Sequence, residues 1–465
     1  MVVDAKTSAK AVAKQLKHGE AYDASRSAVY KAKAAILNES YGDEAKSFGR
    51  LPAYMEALTT ADSDTRAVLE SSDGKFKRMF VCPGAARHAW RYCRKWLAID
   101  ATFMKTKYQS RLKLAAVMDG TGSLVVLAWC LTDGETLDNW TWFMRNLRDS
   151  LDGLDSPAST IVSDRNAGLL SAIDEVLPTA RSTYCCFHIA KNIKEAHHSA
   201  AAVRLFWQMV YARTADQFKG HMQRLEEVDK GGANYIKGID PTKWANYAVP
   251  GRRFGHVTSN LVEIANAMVL EARELPPLYC FDFIYRHQME RFFSRRVEAI
   301  NCDSPIVPAE YIRLQREIVE ARRMTAVCSS ATAGCVTSVG GTQYVVQLPA
   351  DQNDMGRCDC RFYQQLLRPC RHAVALLQKL KQSIAPHYHW SYTTTTWREV
   401  YSKTLPPINV SALADGDLQP PTFKRKRGRP QKERKEVGSR SSTQHCSVCG
   451  RDDHRRRDCN LTWDM

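Results

Sequence analysis

The sequence predicts an α/β protein: a mixed α/β layer, then an almost wholly helical stretch, followed by small zinc-stabilised modules. Three observations predict it. Short apolar runs alternate with helical patterns between about 77 and 197, and an almost wholly helical stretch follows from 200 to 325. Two groups of cysteine and histidine further on have the spacing of metal ligands.

The elements follow in chain order. Apolar residues at helical spacing in SAVYKAKAAILNE and YGDEAKSFGRLPAYMEALTTA predict a helical N-terminal region over 1–76. FKRMFVCP, WLAIDATFMK, RLKLAAVMD and SLVVLAWCLT read as strands, the last two joined at DGTG into a hairpin. LDNWTWFMRNLRDSL places Trp140, Phe143, Leu147 and Leu151 on one helical face. STIVSD is a further strand, GLLSAIDEVLP a helix, STYCCF a strand and HIAKNIKEAHH a helix. In 200–325 the Trp, Leu and Phe residues are spaced for helix packing, and TQYVVQLP reads as a later strand. Residues 410–442 turn polar, Pro-rich and then basic, the composition of a disordered linker.

Bulk composition narrows the function. The net charge is +16 and the pI about 9.2, which favours an anionic partner, nucleic acid first. No apolar run reaches the ~18 residues of a membrane span, and the N-terminus lacks a signal-peptide core, so a soluble intracellular chain with no membrane partner is expected. Fifteen cysteines in such a chain are expected to be thiols or metal ligands rather than disulfides.

Two predicted strands end in an acid, Asp100 and Asp164. Side chains at neighbouring strand ends converge in an α/β sheet, and converging carboxylates repel unless a divalent cation joins them. Two such cations about 3.5–4 Å apart serve phosphoryl transfer, a chemistry that usually wants a third acid. Glu263, one turn into a helix with Thr258 or Ser259 as N-cap, is the candidate; the bland alternative is a solvated helix residue.

These stretches together carry a resemblance. IDATFMK is similar to the first-Asp motif of Mutator-like element (MULE) transposases, with Ala101 where the family usually has Gly. GETLDNWTWFMRNL, VSDRNAGLLSAIDEVLPTA, YCCFHIAKN and TSNLVEIANA resemble, in order, four further segments of that catalytic domain. The resemblance covers 77–270 and implies an RNase H-like mixed sheet over 77–325, with the helical stretch at about 195–255 inserted into it. It implies that Asp100, Asp164 and Glu263 hold a pair of Mg²⁺ or Mn²⁺ ions. One ion would activate water or a 3′-hydroxyl and the other would steady the leaving 3′ oxygen. Cys185 and His188 match the family's Cys-x-x-His. Two ligands do not make a zinc site, so a supporting role behind the metal ligands or a buried satisfied pair is expected, with Cys186 as the alternative if the strand register differs.

GRCDCRFYQQLLRPCRHAVAL holds Cys358, Cys360, Cys370 and His372, spaced C-x-C-x9-C-x-H. Three thiolates and an imidazole suit tetrahedral Zn²⁺, and the spacing resembles the SWIM zinc finger, expected over 340–385. HCSVCGRDDHRRRDC holds Cys446, Cys449, His454 and Cys459 and resembles a CCHC zinc knuckle over 443–462. A segment this short cannot bury a core, so metal must fold it. Arg451, Arg455, Arg456 and Arg457 crowd that second zinc site and suggest phosphate contacts, with single-stranded nucleic acid as a partner. Between the modules, Arg427, Gly428, Arg429 and Pro430 resemble the AT-hook core, which places arginine in a narrow A·T minor groove. The same basic run fits a nuclear localisation signal.

The resemblance implies a transposase that cuts element ends and joins them to target DNA, acting as a homo-oligomer in the nucleus. A domesticated regulator that binds DNA without catalysis is the second reading, and an RNA- or single-strand-binding factor the third.

Overall fold

The computed structural model describes residues 41–197, 199–258, 269–349 and 355–422, together with 35 and 39. Two helices open this part, α1 (Glu44–Gly49) and α2 (Leu51–Ala61). A hairpin follows, β1 (Arg66–Ser72) and β2 (Lys75–Cys82), turning at Asp73 and Gly74, both at positive φ as a two-residue hairpin turn requires. After α3 (Gly84–Tyr92) come β3 (Trp96–Phe103), β4 (Arg111–Met118) and β5 (Leu124–Thr132). Then α4 (Leu137–Ser150), β6 (Thr160–Ser163), α5 (Ala167–Val176) and β7 (Arg181–Tyr184) complete the sheet domain.

The seven strands form one sheet in the order β1-β2-β5-β4-β3-β6-β7. Pairing is antiparallel from β1 to β3 and parallel from β3 to β7. The run β5-β4-β3-β6-β7 is the RNase H-like arrangement, widened on one edge by β1 and β2. LVVLAWCLT explains why β5 lies inside: its nine residues are all buried, as a strand covered on both faces demands. Asp119 shapes the β4–β5 turn, accepting from the Thr121 and Ser123 amides at 2.9 and 2.8 Å.

The helical insertion has its own core. It comprises α6 (Cys186–His197), α7 (Ala200–Tyr211), α8 (Ala215–Val228) and α9 (Lys230–Lys237). Phe206, Phe218, Leu225 and Trp244 gather there, apart from the sheet's apolar cluster. The chain passes between the two cores at one peptide bond: Cys185 belongs to the sheet's cluster and Cys186 to the insertion's. The expected strand STYCCF therefore stops at Tyr184, and Cys186 opens α6 instead of lying in a strand.

Two long helices, α10 (Pro277–Ile300) and α11 (Pro308–Ala321), lead to a second sheet. This sheet pairs β8 (Thr325–Cys328), β9 (Ala333–Thr337), β10 (Gln343–Gln347) and β11 (Arg357–Cys358) in the order β11-β10-β9-β8. It packs on α12 (Phe362–Leu366) and α13 (Arg371–Lys379). The chain then folds back as a strap containing α14 (Thr394–Val400), which packs on α3 and buries Tyr392, Trp397 and Tyr401. Gly120 allows this approach, since a Cβ there would stand 2.4 Å from the Ser391 carbonyl oxygen. The first part of the expected linker belongs to the strap: Val410–Ala412 form a 3-10 turn, and the Phe76 amide donates to the Gln419 carbonyl at 2.8 Å.

Lys113 lies wholly inside the sheet, donating to Thr132 Oγ1 at 2.6 Å over the Trp140 ring. Burial pushes its ammonium down to about 8, against 10.5 ordinarily. Between those values the unfolded chain binds more protons than the fold, so this group makes stability rise as pH rises. Lys113→Met should flatten the pH 8–10 slope of unfolding free energy relative to the wild type, measured by urea titration. An identical slope in both would refute the assignment.

Candidate functional site

β3 and β6 run parallel with Trp96 opposite Thr160, Leu97 opposite Ile161 and Ala98 opposite Val162. The pairing ends two residues short of both acids: Asp100 lies within β3 and Asp164 directly follows β6, toward the carboxyl ends of two adjacent parallel strands. β6 pairs with β7 as far as Ser163 and Tyr184, and the Cys185 amide donates to the Ser163 carbonyl at 2.8 Å. Both acids are half-buried. Asp100 Oδ1 accepts from the Ala101 amide at 2.8 Å, and Asp164 Oδ1 from the Asn166 amide at 3.1 Å. Two hard carboxylates suit Mg²⁺ or Mn²⁺. Glu263 lies outside the described residues, so the described acid edge has two of the three expected acids.

Cys185 is buried, while His188 sits in the first turn of α6 with its Nδ1 buried and without a hydrogen-bond partner among the described residues. Cys186 faces the other way, into the insertion. Burial pushes its thiol up to about 12, and it accepts from the buried Arg253 guanidinium at 3.7 Å. That environment makes Cys186 a packing residue and not a nucleophile.

The metal centre is well formed. Cys358, Cys360, Cys370 and His372 are all buried, and their donor atoms lie within 4.8 Å of one another. Four donors on one Zn²⁺ stand about 3.8 Å apart, which follows from a Zn–S bond of about 2.3 Å in a tetrahedron. His372 Nδ1 stands 3.6 Å from Cys358 Sγ and 3.9 Å from Cys370 Sγ. Tyr344 stacks on the imidazole at 3.9 Å and holds that nitrogen toward the thiols. Hydrogen bonds from the Cys358 and Cys370 thiols hold Cys360 far below an ordinary thiol, while its two donors are raised. A bound cation would favour the thiolate form of all three cysteines.

Residues 96–192 match the family model of the MULE transposase domain, and residues 344–381 that of the SWIM zinc finger. These two segments are thus similar to a MULE transposase domain and to a SWIM zinc finger. It is also similar to Protein FAR1-RELATED SEQUENCE 6 of Arabidopsis thaliana, 23% identical over 181 residues. That stretch is 38% of this chain and 25% of the relative. The MULE match contains Asp100, Asp164, Cys185 and His188, and the SWIM match contains all four zinc ligands.

Sequence reasoning missed how the SWIM finger is held. Arg213, between α7 and α8, donates to the Cys360 carbonyl at 3.2 Å, and Arg361 returns a bond to the Arg213 carbonyl at 3.2 Å. On its other side the finger meets the strap: Tyr392 Oη donates to the Leu366 carbonyl at 2.8 Å, and the His389 amide to the Leu367 carbonyl at 3.0 Å. Buried Arg368 pairs with buried Glu310 of α11. Burial opposes the Glu310 charge, but Arg368 and Arg313 outweigh it and hold the carboxyl below its ordinary range. An isolated arginine in the sequence carries no signal of such a contact. The residues expected to form the CCHC knuckle, Cys446, Cys449, His454 and Cys459, and the AT-hook-like Arg427–Pro430, lie outside the described residues. Among the described residues no helix is long and apolar enough to cross a membrane.

Zinc removal should therefore reach beyond the finger. Chelation, or Cys370→Ser, is expected to speed amide exchange across 344–381 and also at Arg213–Thr214 and His387–Tyr392. Faster exchange confined to the finger would contradict this tie.

Proposed function

We propose that the protein is a DDE-type DNA transposase of the Mutator-like class, which cuts and joins DNA strands at element ends. The observation that supports this reading is the parallel pairing of β3 with β6, since Asp100 lies in the first of these strands and Asp164 directly follows the second. Glu263 is the third acid by resemblance. Bound Mg²⁺ or Mn²⁺ would supply an activated oxygen nucleophile and stabilise the leaving 3′ oxygen. Asp100 and Asp164 would hold that metal pair, and the rigid sheet beneath them would fix their separation. The basic excess of the chain serves DNA attraction, and the basic run around Arg427–Pro430 supports minor-groove contact and a nuclear site of action. Cys446, Cys449, His454 and Cys459 would hold a second Zn²⁺ and touch single strands. Pairing two element ends calls for a homo-oligomer.

A domesticated DNA-binding regulator without catalysis is the second reading. It is favoured by the zinc finger and the basic charge, neither of which requires a working acid edge. Incubation with Mn²⁺ and the genomic DNA flanking the gene separates the two. The first reading expects strand breaks at element ends. Asp100→Asn or Asp164→Asn should lower the rate by more than the 10–100-fold typical of an outer-shell change. Tight DNA binding with no breaks by the wild type would favour the regulator.

A further inference from the structure

Arg165 follows Asp164 directly, at the end of β6, yet its guanidinium is held by the helical insertion. Nη2 donates to the Tyr235 hydroxyl, and the guanidinium lies 5.4 Å from that ring's centroid. With its amide turned to satisfy both neighbours, Asn192 of α6 accepts from Tyr235 Oη at 3.1 Å and from Arg165 at 3.0 Å. It also donates to the His188 carbonyl at 3.3 Å. Every one of these partners is neutral. Elsewhere in the sheet domain arginines pair with acids, such as Arg145 with Glu175 at 2.8 Å and Arg148 with Asp149 at 3.1 Å. Among the described residues Arg165 has no such ion pair, so its charge is held in place without being cancelled.

We propose that Arg165 is a DNA phosphate contact at the acid edge, and that Tyr235 and Asn192 are its positioning residues. The inference rests on the reading of that edge as a DNA site. Carboxylates repel a polyanion, and a guanidinium fixed beside the end of β6 offsets that repulsion where the backbone must enter. A guanidinium's planar fork matches phosphate oxygens, and holding it before binding removes the entropy cost of ordering a long side chain. The insertion thereby takes part in binding DNA at the edge of a sheet that it does not itself join.

The test is DNA affinity across a salt series, with zinc-loaded protein, a labelled duplex and no divalent cation, so that no cleavage intervenes. Each phosphate contact contributes about 0.9 to the slope of log K against log salt. Arg165→Ala should lower that slope by about one contact, and Arg165→Lys should keep it. Tyr235→Phe should weaken binding, and adding it to Arg165→Ala should cost nothing more. An unchanged slope in Arg165→Ala, with the wild type bound and the variant folded by circular dichroism, would overturn the contact. Additive losses in the double variant would overturn the positioning role. Absence of salt-dependent DNA binding by the wild type would instead remove the reading on which both rest.

Discussion

The parallel pairing of β3 with β6 is the constraint on which the acid edge depends. Side chains alternate along a strand, so a slip of one residue would reverse the faces of one strand's side chains relative to the other's. Burial prevents the slip. All four residues of β6 are buried, and so are Trp96, Leu97, Ala98 and Ile99 of β3. On its other side β3 pairs with β4 over six positions, from Ala98 to Phe103. β3 is also where the sheet changes from antiparallel to parallel. The strand order also reverses between β3 and β6, and in open α/β sheets ligands bind beyond the carboxyl ends of strands at such a reversal; Asp100 sits toward that end of β3.

The zinc cluster constrains a different part of the molecule through the same logic of shared contacts. The finger's ligand-bearing side is not turned to solvent. Its Cys360 carbonyl meets the insertion, its Leu366 and Leu367 carbonyls meet the strap, and its Arg368 meets α11. Two residues in this loop, Arg361 and Leu367, hold left-handed backbone that non-glycine residues seldom adopt. Such conformations persist where the surroundings fix them, and here four ligands and three neighbouring elements do so. The finger's other face, with Val327 and Val345 exposed, is the side left to solvent.

The sequence made β3 and β6 legible because short apolar runs bounded by turn residues leave little alternative, but β3 runs on to Phe103, so Asp100 lies within that strand instead of ending it. The zinc ligands were legible because C-x-C-x9-C-x-H is rare without a metal. The strap was not: 385–422 is polar and rich in Pro and Thr, and the buried residues that tie it to the fold, Tyr392, Trp397 and Tyr401 among them, show no regular period. β1 was hidden because its residues are half-buried or exposed, with no clean alternation to read. The end of β7 was misread because nothing in TYCCFH marks a strand-to-helix change, neither Gly nor Pro nor a polar cap. The MULE and SWIM matches support the motif order but say nothing of Arg213 or Tyr235, since an insertion's contacts belong to its tertiary packing.

The insertion can be large because its neck is closed. The Cys186 amide donates to the Val257 carbonyl at 2.9 Å, so the chain leaves the sheet and returns at one point. Arg253, buried at this neck, donates to the Asn246 side chain and to Cys186 Sγ. Burial lowers its basicity, and the neighbouring thiol only partly restores it. An apolar side chain would pack there at less cost in desolvation, but it could not tie the two ends of the insertion together. Lengthening a loop whose ends are already fixed costs little further entropy, so helices can accumulate between them without moving β7. Tyr235 and Asn192 hold Arg165 from within that excursion. The insertion is thus fastened to the sheet at its neck and again beside Asp164, and these two attachments limit how far it can turn relative to the acid edge.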